Sequence, residues 1–103
     1  MIISGGENIY PKEIELHLDA LESIKESAIV GLPHPDLGEA VTAFIITEGI
    51  FSEAKVRDRL TAHIASFKQP KKYVTVDALP RNSMGKIQKN RLREEYSSLF
   101  SSH

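Results

Sequence analysis

No cysteine occurs in the 103 residues, which excludes disulfide staples and thiolate metal sites and is compatible with a reducing, cytoplasmic setting. Tryptophan is absent and aromatics make up only 7%, so flat side chains on which nucleic-acid bases could stack are scarce. No apolar run approaches the roughly 20 residues that cross a bilayer, and no membrane span is expected. The opening MIISGG has neither the basic start and apolar stretch of a signal peptide nor the Arg/Ser-rich pattern of a transit peptide. It reads as a strand entered mid-stream, as at an internal position of a longer chain. Charge of one sign is lacking as well, with 13 Lys/Arg against 14 Asp/Glu.

What is present suits one small soluble domain spanning residues 1–103, with 41% hydrophobic and 26% charged residues and no internal repeat. The charge is unevenly placed. Between Lys68 and Arg93 stand eight Lys/Arg and one acid, Asp77, leaving the rest of the chain acidic. Such a segment is either a solvated basic face or a site for a polyanion such as nucleotide, CoA or nucleic acid.

The patterning predicts the order βαββαβα. A short strand at Ile2–Ser4 ends at Gly5–Gly6, and Pro11 opens a helix to about Leu21 whose stripe is Ile14, Leu18 and Leu21. Strands follow at Glu26–Leu32 and Glu39–Glu48, expected to pair, with Pro33 and Pro35 read as ending the first. Ser52 caps a helix to about Ser66, carrying Val56, Leu60 and Ile64 on one face. A third strand at Tyr73–Val76, a loop at Leu79–Gly85 and a basic helix from about Gln88 to Leu99 complete the chain. The fold class is α+β: a small sheet of about three strands plus the short N-terminal one, with the helices on one side.

Few residues are arranged for chemistry. His17 and His63 lie in helices, His34 between prolines and His103 at the end, and no metal-ligand spacing joins them, so no metal site is expected. No G-x-S-x-G elbow is present. Gly5–Gly6 would let a backbone or slim ligand approach closely, although on the residues alone a plain turn is the favoured explanation of the pair. In the stretch LPRNSMGKIQKNRLR, Gly85 leaves Lys86 unobstructed on a loop. A lysine there offers a mobile charge with three donors, suited to an anionic transition state.

The opening IISGGENIYPKEIE and the closing LPRNSMGKIQKNRLR resemble the two signature segments that bracket the C-terminal lid domain of the acyl-CoA synthetase, luciferase and nonribosomal adenylation superfamily. The intervening AIVGLPHPDLGEAVTAFII and ASFKQPKKYVTV are similar to that domain's connecting strands, so the likeness covers the whole chain. Many members read P-K-T-x-S-G-K where this chain has Pro80-Arg81-Asn82-Ser83-Met84-Gly85-Lys86, a variant similar to malonyl-CoA synthetases and some fatty-acyl relatives.

The resemblance implies a domain of an AMP-forming ligase that joins a carboxylic acid to ATP and passes the acyl group to CoA. ATP and CoA would be substrates of the full enzyme, and Mg2+ would be needed there but not bound by this domain. By position, Lys86 matches the adenylation lysine. Gly5 and Gly6 match glycines lining the pantetheine tunnel, with Ser4 opening the same loop, and Phe67 and Lys68 match a segment beside the CoA nucleotide. Gln69 stands where certain relatives have arginine. The expected partners are the family's large N-terminal domain and an acetyltransferase acting on Lys86. The isolated chain is expected to be inactive. A basic nucleic-acid-binding module is the competing reading, disfavoured by the scarce aromatics and the lack of any RNP, KH or helix-turn-helix pattern.

Overall fold

The computed structural model describes residues 1–101; His103 lies outside them. The elements are β1 (Ile2–Ser4), β2 (Glu7–Ile9), α1 (Pro11–Asp19), β3 (Ile24–His34), β4 (Gly38–Thr47), α2 (Glu53–Thr61), a 3-10 turn (Ser66–Lys68), β5 (Lys72–Thr75) and α3 (Lys89–Glu95). One mixed sheet of five strands is built around β4.

The long β3–β4 hairpin is the spine, paired antiparallel from Ile24↔Thr47 to His34↔Gly38 with an irregularity between Ile24 and Glu26. Along its other edge β4 meets β1 at Gly38 and β5, in parallel, from Thr42 to Ile45. A parallel neighbour needs a crossover, and α2 lies within it. Strand β2 is a fifth strand beyond the sequence expectation. It pairs with β1 through Ser4↔Glu7, flanking Gly5 and Gly6 with φ of 57° and 84°. Two successive positive φ values are what a two-residue hairpin turn demands.

Two further expectations need correction. Strand β3 does not stop before Pro33 but runs through it to His34. It pairs only with β4, and the Ile29 N–H already points off its open side. By the period of two, the position of Pro33 also faces outward, where a missing N–H costs no ladder bond. Nor do the helices share one side. Ile29, Val41, Ala43 and Ile45 pack with Ile14 and Leu18 of α1 and Val56 and Leu60 of α2. Ala28, Val30, Leu32 and Phe44 pack with Leu79 and with Leu92 of α3. Because β3 and β4 are apolar on both faces, each face requires its own cover.

The helices are short. Helix α1 starts with Pro11 at its N-terminus and Glu13 in its first turn, and ends two residues before the expected Leu21, whose N–H bonds the Leu18 carbonyl at 3.0 Å. In α2 the Ser52 hydroxyl accepts weakly from the Lys55 N–H at 3.4 Å, and the helix ends at Thr61 rather than near Ser66. Helix α3 has seven residues and hangs on Leu92, 2% exposed, whose truncation to alanine would cost about 2–5 kcal/mol. Finally, the carboxylate of Glu39 accepts the Ile3 N–H at 2.9 Å while lying over Gly31 of the neighbouring strand.

Candidate functional site

Lys86 sits on an exposed loop, as expected, which is tied into a hairpin. Arg81 pairs with Ile87 in an isolated antiparallel bridge, and the Gln88 N–H donates to the Pro80 carbonyl at 2.7 Å. Inside this ring the Asn82 N–H donates to the Lys86 carbonyl (3.0 Å) and the Gly85 N–H to the Asn82 carbonyl (2.9 Å). The Asn82 side-chain oxygen accepts from the N–H groups of Met84 (3.0 Å) and Lys86 (2.9 Å). Gly85, at φ 83°, turns the chain. Leu79 and Ile87 root the hairpin in the apolar layer under α3. At its tip Met84 is 90% exposed, and the exposed Lys86 ammonium has no ion-pair partner among the described residues.

Arg81 fastens the hairpin to the sheet. Its guanidinium donates to the Gly85 carbonyl at 2.7 Å and forms an ion pair with Glu26 near the start of β3. The sequence marks Asn82 as part of an exposed loop and Arg81 as part of the Pro80–Lys86 motif without showing what either one holds. The signal was available, since an Asn followed by a glycine three residues later is the ordinary chemistry of a side-chain-closed turn.

The glycine pair lies at the other end of the sheet. Gly5 donates its N–H to the Leu37 carbonyl (2.9 Å), just beyond β3, and Ser4 is buried beside it. A Cβ added at Gly5 would touch the Leu37 side chain at 3.4 Å, whereas at Gly6 it would meet nothing within 4 Å. From Glu26 to His34 the strand rises about 3.3 Å per residue, so the lysine hairpin, tied at Glu26, and the glycine turn, tied at Leu37 just beyond the strand, are anchored near points roughly 26 Å apart along it.

Phe67 and Lys68 occupy the 3-10 turn after α2, and Phe67 is 43% exposed. Lys68 is engaged within the domain: its ammonium lies 2.8 Å and 3.2 Å from the two carboxylate oxygens of Glu13, in the first turn of α1. The Gln69 amide turns back onto α2, donating to Thr61 Oγ1 at 3.0 Å and the Arg57 carbonyl at 3.3 Å. The predicted residues thus fall into two groups, with Lys86 alone at one end and Ser4, Gly5 and Gly6 at the other. The Phe67–Lys68 turn is fastened to α1, which follows the glycine hairpin in the chain. A surface cleft of about 600 Å3 bounded by Leu21, Glu48, Ile50 and Lys55 contains none of them.

The basic segment is partly neutralised in space. Lys68 meets Glu13, Arg81 meets Glu26 and Lys89 meets Glu15, so three of its eight cations pair with acids far away in sequence. The histidines also depart from expectation, because His17 and His63 stack with ring centroids 4.8 Å apart and planes 13° from parallel. They meet because α1 and α2 cover the same face of the sheet. Among the described residues no group of three or more His, Cys, Asp or Glu could hold a metal ion. No helix among them is long and apolar enough to cross a membrane.

The family described as the AMP-binding enzyme C-terminal domain matches residues 13–86. A 2-succinylbenzoate–CoA ligase of Listeria monocytogenes is 44% identical over 97 residues, covering 94% of this chain and 21% of that protein. A long-chain-fatty-acid–CoA ligase of Mycobacterium tuberculosis is 41% identical over 99 residues, covering 95% of the chain and 20% of the relative. The crystal structure of ATP-bound MatB from Rhodopseudomonas palustris superposes with a TM-score of 0.92 at 48% identity, over 96% of this chain and 20% of that one. The chain therefore spans about a fifth of the length of the relatives it matches.

Proposed function

The chain belongs to the AMP-binding enzyme C-terminal domain family, and from that membership we propose that it serves as the small reorienting domain of an AMP-forming acyl-CoA ligase. In the reaction a carboxylate oxygen attacks the α-phosphate of ATP and pyrophosphate leaves. The thiol of CoA then attacks the acyl carbonyl, and AMP departs with the bonding pair as the thioester forms. Lys86 serves the first step by bringing its ammonium to the carboxylate and α-phosphate, where negative charge gathers in the transition state. Gly5 and Gly6, preceded by Ser4, serve the second by offering a wall without Cβ atoms to the pantetheine arm. Phe67 and Lys68 lie beside the CoA nucleotide, provided that Lys68 leaves Glu13 or shares it.

The observation that carries this reading is the separation of the two groups. Tools anchored near opposite ends of one stiff hairpin, about 26 Å of strand apart, favour successive half-reactions that use the domain in two orientations. A large partner domain supplies the acyl pocket and most of the nucleotide site. We take malonate as the first acid to test because of the motif running from Pro80 to Lys86, and the names of the relatives add 2-succinylbenzoate and long-chain fatty acids.

The test joins these residues to the large domain of a matched relative and measures pyrophosphate release with ATP and each acid. Acid-dependent release that falls on the order of 10²–10³-fold in Lys86→Ala, with melting unchanged, is the expected result. Release that survives the substitution contradicts the lysine's role, and no release with any acid contradicts the reaction class.

A further inference from the structure

We infer that Asn82 is the positioning residue for Lys86, fixing the root of a side chain whose tip is free. This rests on the reading of Lys86 given above. Asn82 holds Lys86 on both sides of its own Cα: the carboxamide oxygen takes the Lys86 N–H, while the Asn82 N–H goes to the Lys86 carbonyl. The same side-chain oxygen also takes the Met84 N–H, and the Asn82 carbonyl takes the Gly85 N–H, so every residue from Met84 to Lys86 is tied to this one. All of these groups are exposed, and the core under the hairpin comes instead from Leu79 and Ile87. Removing the carboxamide therefore hands two N–H groups to water and leaves the fold intact.

The cost falls on geometry. A lysine carries about 2 kcal/mol of rotamer entropy, and no ion pair within the described residues holds this one. With the tip free, the backbone at its root decides which volume the ammonium samples. A misplacement of about 1 Å at a reacting centre can cost roughly 10²-fold in rate. The Arg81–Glu26 pair sets the hairpin on the sheet, and Asn82 sets Lys86 on the hairpin.

The inference is tested with Asn82→Ala, Asn82→Asp and Lys86→Ala, in the ligase described above and in the 103-residue chain itself. In the chain, amide exchange at Met84 and Lys86 is expected to accelerate at least about tenfold in Asn82→Ala and to return toward wild type in Asn82→Asp, which keeps the acceptor. In the ligase, adenylate formation is expected to fall about 10- to 100-fold in Asn82→Ala with the KM for ATP little changed, while acyl transfer from supplied adenylate to CoA stays at the wild-type rate. Unchanged exchange, unchanged adenylation beside a dead Lys86→Ala, or equal loss in both half-reactions would each overturn the inference and leave the lysine reading standing. Adenylation that survives Lys86→Ala would remove that reading and, with it, this one.

Discussion

Glu15 and Lys89 meet around the open edge of the sheet, the ammonium 2.8 Å from the carboxylate, although 74 residues separate them. The same carboxylate oxygen accepts the Ile29 N–H at 2.8 Å, one of the donors left free along the edge of β3. Nearby Asp19 accepts the Ser27 hydroxyl at 2.6 Å. Thus α1 fastens the layer on one face to α3 on the other and closes an edge that would otherwise invite strand pairing. Glu15→Ala is expected to cost about 1.5–3 kcal/mol in urea unfolding and to speed exchange at Ile29, because it leaves a strand donor and a partly shielded cation without their acceptor. Loss below about 0.5 kcal/mol would mean that water replaces the carboxylate without penalty.

The glycine turn offers a way to separate folding from function. Since a Cβ at Gly6 meets nothing inside the domain, substitution there costs the fold only its backbone preference, and asparagine bears a positive φ better than other side chains. Gly6→Asn is expected to leave thermal melting within a few degrees of wild type and adenylate formation intact, while slowing thioester formation at least about tenfold. Equal thioester rates would take Gly6 out of the CoA path.

Tyr73 makes a prediction about alkaline pH. Its hydroxyl is buried without a hydrogen-bond partner among the described residues, and its pKa is pushed up from 10.0 to about 12. Burial is the main cause, opposed by the nearby Arg57 charge and reinforced by Glu53. An unfolded chain gives up this proton near pH 10 while the folded one keeps it, so between about pH 10 and 12 the unfolded state binds fewer protons and stability falls as pH rises. Tyr73→Phe is expected to abolish that part of the alkaline loss. At neutral pH it should be neutral or stabilising by up to about 1 kcal/mol, since an unpaired hydroxyl is removed. Unfolding curves at pH 8 and pH 11 for both proteins check it.

Much of this architecture was legible because it is local. The stripe of Ile14 and Leu18, Pro11 opening α1 and the pairing of two consecutive β-branched strands follow from spacing alone. Strand β2 could also have been found, since Gly-Gly between IIS and ENI is hairpin chemistry, but three residues give too little alternation to read as a strand. Pro33 misled because its effect depends on whether β3 lies at an edge, which is a property of the sheet. Similarly, the pairing of Lys68 with Glu13 and the stacking of His17 on His63 arise only when α1 and α2 come to lie together. For the candidate site, the residue types were legible and their distribution was not: nothing in the spacing says that Gly5 and Lys86 end on opposite ends of one hairpin.

Burial of β3 on both faces has a consequence for how its alignment is chosen. A slip by one residue would exchange the sides of Ile29 and Val30, yet each would still land among apolar neighbours, so polarity carries almost no information about alignment here. Volume has to carry it. At Gly31 an added Cβ would lie 2.8 Å from the Glu39 carboxylate and 3.0 Å from Ile2, so a side chain there would push Glu39 off its place on the Ile3 N–H. The glycine acts as an indexing notch in an otherwise uniform rail. Because the lysine hairpin is tied to β3 through Glu26 while the glycine turn is paired to β4 through Ser4 and Gly38, an error of one notch between these strands would displace one relative to the other by about 3.3 Å.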